Sequence, residues 1–251
     1  IKNLKEMNLQ DLKSSNNKNL EIIRCETCDE IIRHGTEERP CLCDSKLATE
    51  NQEKLNRKNI EAYRKLSIMS EKSFGQTFET FVKYDQNASK MYDFALNYCN
   101  NFNKVIKENN GLYIFGDVGV GKSYLSNCIS NMIRKNYSVL NIQLNYYSEI
   151  LKEGYSKVQK AKEYNELAIL NAVETADLVV IDDIGTEQLG TWFITKLFNL
   201  IEIRNQSNKP LVITSNCSLL ALKNKFIKYD EYGRIVDRIK EMCMDIRYLG
   251  N

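Results

Sequence analysis

The run Gly116-Asp117-Val118-Gly119-Val120-Gly121-Lys122-Ser123 fits the spacing G-x-x-x-x-G-K-S without a mismatch. These residue types in that order suit one chemistry, the holding of a triphosphate. The glycines let the backbone curl until its N–H groups point inward at phosphate oxygens. A helix opening near Lys122 adds its positive end to the same anion. Lys122 then reaches the β- and γ-phosphates, and the Ser123 hydroxyl is a ligand for Mg²⁺, with Tyr124 next in line as a nucleotide contact. The bland alternative is a chance glycine-rich turn. The apolar run Leu112–Phe115 before it and a helical pattern to about Lys135 after it give the strand–turn–helix context that the motif requires. ATP and Mg²⁺ are therefore the expected ligands.

Sixty residues on, Leu178-Val179-Val180-Ile181-Asp182-Asp183 places two carboxylates at the end of an apolar run. Ligands of a parallel sheet bind at the carboxyl ends of its strands. Asp182 is thus expected to hold Mg²⁺ through water, and Asp183 to orient an attacking water. Leu211-Val212-Ile213-Thr214-Ser215-Asn216 ends a further run, and Asn216 is expected to touch the γ-phosphate or that water. Each also has a plain reading, a carboxylate pair that caps a turn and an Asn that only terminates a strand.

The elements that must position these groups form an alternation. Apolar runs at Leu112–Phe115, Val139–Leu144, Ala176–Ile181, Leu211–Thr214 and, more weakly, Met244–Leu249 are separated by helical segments. That pattern predicts an α/β fold whose five-stranded parallel sheet is covered on both faces by helices. Three parts are expected: residues 1–45, a helical linker over 46–73, and the phosphate-binding domain over 74–251. The linker carries Leu47, Leu55, Ile60, Tyr63 and Leu66 among many charges, a stripe read as a packing face. Phe74, Phe78 and Phe81 precede the first strand, where they either lie near an adenine ring or anchor the linker. The longest apolar runs are four to six residues, against the roughly 20 that a membrane span needs. No charged-then-apolar leader opens the chain, so a cytoplasmic protein without a membrane partner is expected. A net charge of +2 is too small to imply nucleic acid by itself.

Four of the eight cysteines fall within nineteen residues, as Cys25-x₂-Cys28 and Cys41-x-Cys43. In a reducing compartment two such close pairs read as a thiolate site for Zn²⁺ rather than as disulfides. His34 lies between the pairs and is an alternative to Cys41 or Cys43. The segment is too short to build a core alone, so the metal would supply its folding energy. Cys99, Cys128, Cys217 and Cys243 are dispersed and read as small buried residues.

The string Asp182-Asp183-Ile184-Gly185-Thr186-Glu187, with Trp192 five residues beyond it, resembles bacterial helicase loaders of the DnaC/DnaI type and the related IstB transposition helpers. The stretches Leu197–Asn216 and Tyr232–Arg238 share the likeness, which covers about Phe74–Asn251. The resemblance implies a P-loop ATPase core of the AAA+ type with a small N-terminal zinc-binding module, whose ligands in DnaI-type loaders include cysteine and histidine. It implies that Arg238 is an arginine finger acting on a neighbouring copy, so that the chain self-assembles. Arg234 would be a structural or DNA-facing partner, and Arg204 matches a recurrent arginine before the third motif. The bland reading of all three is a solvated helix face. Relatives usually continue into a Ser-x-Arg segment, a place that Arg247 does not fill. The implied function is ATP-dependent loading of a hexameric replicative DNA helicase onto single-stranded DNA. Tyr146, Tyr147, Lys152, Tyr155, Lys157, Lys160 and Lys162 are the candidate DNA surface, by stacking and phosphate contact. The rival readings are an IstB-like transposition regulator and a helicase-binding adaptor with little ATPase activity.

Overall fold

The computed structural model describes residues 22–26, 31–34, 37–38, 42–155, 166–185 and 190–248. The chain divides into two compact units, 1–55 and 56–251. In the first, β1 (Ile22–Arg24), β2 (Ile31–His34) and β3 (Glu37–Glu38) form an antiparallel sheet in that order, with Ile23 opposite Arg33 and Arg33 opposite Glu38. Of the expected zinc ligands, Cys28 and Cys41 lie outside the described residues, as do the side chains of His34 and Cys43. Among the described residues no cluster of metal-binding side chains occurs.

Helix α1 (Leu42–Leu66) begins in the first unit and ends in the second. Within the stretch read as a helical linker, 46–73, α1 ends at Leu66 and a short helix, α2 (Glu71–Phe74), follows. Ile68 instead pairs in parallel with Ile142, donating its N–H to Asn141 O at 2.8 Å and accepting from Gln143 N at 2.8 Å. The packing stripe is realised only at the far end of α1. Tyr63 and Leu66 pack on the core, whereas Leu47 and Leu55 are more than half exposed.

The second unit is built on β4 (Gly111–Phe115), β5 (Val139–Gln143), β6 (Leu178–Ile184), β7 (Leu211–Ser215) and β8 (Cys243–Arg247). All pairings are parallel, in the order β5-β6-β7-β4-β8, as the five apolar runs predicted. Side chains alternate between two cores. Leu112, Ile114, Leu178, Val180 and Val212 face helices α3 (Gln86–Asn100), α4 (Phe102–Glu108) and α5 (Lys122–Ile133). Tyr113, Val179, Ile181, Leu211 and Ile213 face α6 (Leu144–Tyr155), α7 (Glu166–Thr175), α8 (Thr191–Gln206), α9 (Leu219–Phe226) and α10 (Arg234–Met242). Burial on both faces is why the inner strands read as unbroken apolar runs, each such side chain contributing about 1.5–3 kcal/mol. β8 is an edge strand with exposed Met244 and Asp245, which explains its weaker signal.

Two sequence readings are corrected here. Tyr147 is fully buried in the core beside Leu144 and Leu151, so it has no face to offer a base. Arg204 does not lie on a solvated helix face. It is fully buried, and its guanidinium donates to the carbonyls of Val173 (2.9 Å), Ala176 (2.8 Å), Asp177 (3.1 Å) and Pro210 (2.7 and 3.2 Å). Val173 lies in the last turn of α7 and Ala176 just past its end, where no helical donors remain for their carbonyls. Asp177 and Pro210 lead into β6 and β7, so one side chain fixes the entry of both strands.

Candidate nucleotide site

The loop after β4 is shaped by its glycines. A Cβ on Gly116 would stand 2.0 Å from Tyr248 O, so only glycine fits there. Gly119 and Gly121 adopt φ of 86° and 93°, a region other residues enter at a cost. Val118 projects from the tip, 82% exposed. Helix α5 then opens at Lys122, its first turn closed by Leu125 N donating to Gly121 O at 2.9 Å. Lys122 is buried against the loop and donates to Gly116 O at 2.9 Å and Asp117 O at 2.7 Å. Burial lowers its pKa, while Asp183, Asp117 and Asp182 nearby favour the charged form. A cation held by neutral carbonyls, with carboxylates beside it, is positioned to exchange those carbonyls for phosphate oxygens.

The carboxylates come from β6. The β6–β7 register breaks between Ile181 and Ile184, which frees Asp182 and Asp183 from pairing with β7 while Asp182 stays opposite Gln143 of β5. Asp182 accepts from the Thr214 hydroxyl at 2.6 Å, and the Ser123 hydroxyl lies near enough to favour its charged form. Burial pushes its carboxyl up, and the two hydroxyls pull it back. Asp183 has φ of 67°, a left-handed conformation that Asp tolerates better than most residues. Its N–H donates to Thr214 Oγ1 at 2.8 Å, and its carboxylate accepts from Asn216 Nδ2 at 3.3 Å. Lys122, Ser123, Asp182, Asp183 and Asn216 thus converge at the carboxyl ends of β4, β6 and β7. A hydroxyl next to a carboxylate, with a lysine beside them, is a donor set that fits Mg²⁺ and the phosphates it accompanies.

Other expected residues fall elsewhere. The Tyr124 ring lies 5.6 Å from Phe81, and its hydroxyl donates to Thr80 O at 3.0 Å. Phe78 is buried against Tyr92, and Phe74 lies between the guanidinium groups of Arg64 (4.8 Å) and Arg134 (5.1 Å), so both anchor the segment. Arg238 on α10 donates to Glu202 of α8 at 2.7 Å and to Glu241 at 3.1 and 3.2 Å. Arg234 lies over the Phe198 ring at 4.7 Å and beside Asp230 at 3.4 Å. Tyr146 and Lys152 are exposed on α6, the side chain of Tyr155 is not described, and Lys157, Lys160 and Lys162 lie outside the described residues. Three residues were not foreseen: Thr214, Tyr84, whose hydroxyl donates to Val120 O at 2.8 Å, and Tyr248 behind Gly116. Only Thr214, a polar residue at the end of an apolar run, left any trace in the sequence.

Comparison with known proteins places this geometry. A family profile of the bacterial DnaA ATPase domain matches residues 72–230, more than half of the chain. The replicative helicase loader DnaI of Bacillus subtilis (strain 168) is 26% identical over 203 residues, which are 77% of this chain and 63% of that protein. The chain therefore spans less than two thirds of that relative's length. A crystal structure of DnaI superposes with a TM-score of 0.57 at 22% identity, over 72% of this chain and 95% of that one. DnaA bound to AMPPCP and single-stranded DNA gives a TM-score of 0.54 at 18% identity, over 70% of this chain and 50% of that one. Both share the fold. By the profile match over 72–230, this chain belongs to the bacterial DnaA ATPase-domain family, and it also resembles helicase loaders of the DnaC/DnaI type.

Proposed function

We propose that the chain is an ATP-dependent helicase loader, which binds a hexameric replicative DNA helicase and assists its placement on single-stranded DNA. The carrying observation is the convergence of Lys122, Ser123, Asp182, Asp183 and Asn216 in a chain that resembles a helicase loader over 77% of its length. In this reading the loop amides and Lys122 bind the triphosphate. Ser123 and Asp182 hold Mg²⁺, which when bound neutralises phosphate charge. Asp183 orients a water, and Asn216 steadies Asp183. The water attacks the γ-phosphorus as the bond to the β–γ bridging oxygen breaks. ADP leaves with that electron pair, and inorganic phosphate and a proton are released.

Arg238 serves as the finger for a neighbouring copy, and its partly exposed position on α10 supports that role. Exposed Tyr146 and Lys152 form part of the single-stranded DNA surface, a reading supported by the single-stranded DNA in the DnaA neighbour. The N-terminal module over residues 1–45 holds Zn²⁺ through Cys25, Cys28, Cys41 and Cys43, or with His34 in place of one of the last two, and grips the helicase. Residues 46–73 link it to the ATPase domain, 74–251.

The deciding experiment is helicase loading on single-stranded DNA with the wild-type protein and Lys122→Ala. Helicase capture by both, with ATP turnover and ATP-dependent loading only in the wild type, is expected. A protein that neither captures the helicase nor alters its loading removes the proposal. Capture and loading that survive Lys122→Ala unchanged would make the chain an adaptor. Metal analysis of the purified protein should give about one zinc per chain, lost on Cys28→Ser.

A further inference from the structure

The β6–β7 ladder is interrupted just where the chemistry sits, and side chains replace its missing hydrogen bonds. Ser215 Oγ donates to Ile184 O at 2.8 Å, and Lys225 Nζ donates to Gly185 O. Thr214, 1% exposed, does more than close a gap. Its Oγ1 accepts from Asp183 N at 2.8 Å and donates to Asp182 Oδ1 at 2.6 Å. A hydroxyl has one proton, so accepting from one residue and donating to the next fixes its orientation. One atom therefore ties the backbone of Asp183, held at φ of 67°, to one carboxylate oxygen of Asp182.

We infer that Thr214 is a positioning residue for the metal site, a deepening that rests on the ATPase reading above. By occupying Oδ1 it leaves the other Asp182 oxygen available for the Mg²⁺ that Ser123 and Asp182 would share. By accepting from Asp183 N it holds the left-handed turn that aims the Asp183 carboxylate at Asn216. A valine has the same shape without the hydroxyl, whereas a serine keeps the hydroxyl without the methyl. The two substitutions separate hydrogen bonding from packing.

The test is ATP turnover titrated with Mg²⁺ in wild type, Thr214→Val and Thr214→Ser, with Asp182→Asn as the inactive control. Nucleotide affinity is measured alongside in EDTA. Thr214→Val should raise the Mg²⁺ concentration for half-maximal turnover by about 10-fold and cut kcat by about 10- to 100-fold, the usual range for groups that orient metal ligands. Its affinity in EDTA should stay within about twofold of wild type, because the loop amides and Lys122 are untouched. Thr214→Ser should return both quantities to within about threefold of wild type. Wild-type Mg²⁺ dependence and turnover in a folded Thr214→Val protein would overturn the inference, as would failure of Thr214→Ser to recover them. Thr214→Ala supplies the same comparison if the valine variant does not fold. If neither folds, the hydroxyl serves the fold rather than the metal, and the inference is again overturned. A wild type without Mg²⁺-dependent turnover removes the ATPase reading and this inference together, whereas an indifferent Thr214→Val in an active protein removes this inference alone.

Discussion

The two halves of the nucleotide site are made from different materials. The loop after β4 is built mainly from backbone, with glycines that permit its curvature and two working side chains, Lys122 and Ser123. The ends of β6 and β7 are built from side chains that stitch an interrupted ladder, with Asp182, Asp183, Thr214 and Asn216 bonded to one another. A backbone cradle depends on a few glycines and tolerates its other residues. A side-chain network depends on every member, because an unpaired buried polar group is costly.

Substitutions can break or sharpen that contrast. The largest effect is expected from Lys122→Ala, which removes the only cationic side chain of the backbone half. Turnover should fall by about 10³-fold or more, above about 4 kcal/mol of transition-state stabilisation, with little change in melting temperature. Next, Arg204→Ala attacks the side-chain half from its far end, leaving the carbonyls of Val173, Ala176, Asp177 and Pro210 without this donor. A loss of about 3 to 4 kcal/mol in urea denaturation is expected. Asp183→Asn keeps a residue suited to positive φ but removes the charge. Stability should change by less than about 1 kcal/mol while turnover falls by about 100-fold, and a large loss of stability would show that the carboxylate serves the fold. The smallest effect belongs to Gly119→Ala. A Cβ there meets nothing within 4 Å, so only its φ of 86° is strained, at about 1–2 kcal/mol by thermal melting. An effect as large as that of Lys122→Ala would contradict the tolerance claimed for the cradle.

The same contrast explains what could be read from residues alone. The glycine spacing, the lysine and the five apolar runs are local, and each appears in the fold where its pattern placed it. The network could not be read in that way, since its partners meet only after β6 and β7 pair with a shifted register. Thr214 looked like the end of a strand until Asp182 and Asp183 stood across from it. Arg204 was misread because charge normally marks a surface. The carbonyls that bury it are backbone, identical in every residue and so invisible to pattern. Tyr147 was legible and was missed: Leu144, Tyr147 and Leu151 recur at helical spacing, and all three are buried, while Tyr146 points outward. The turn of the chain at Ile68 from helix to sheet edge had no local signal, since its partner, β5, begins more than seventy residues later.

The closeness of Gly116 to Tyr248 has a mechanical consequence. Tyr248 continues β8 by donating its N–H to Phe115 O at 2.6 Å, and its carbonyl backs directly against the first glycine of the phosphate loop. That carbonyl is a backstop. Any force that slides the edge strand along its neighbour presses on, or retreats from, the point where the loop begins to curl. The curvature of the cradle is therefore governed from behind, by a strand that contributes nothing to the chemistry in front.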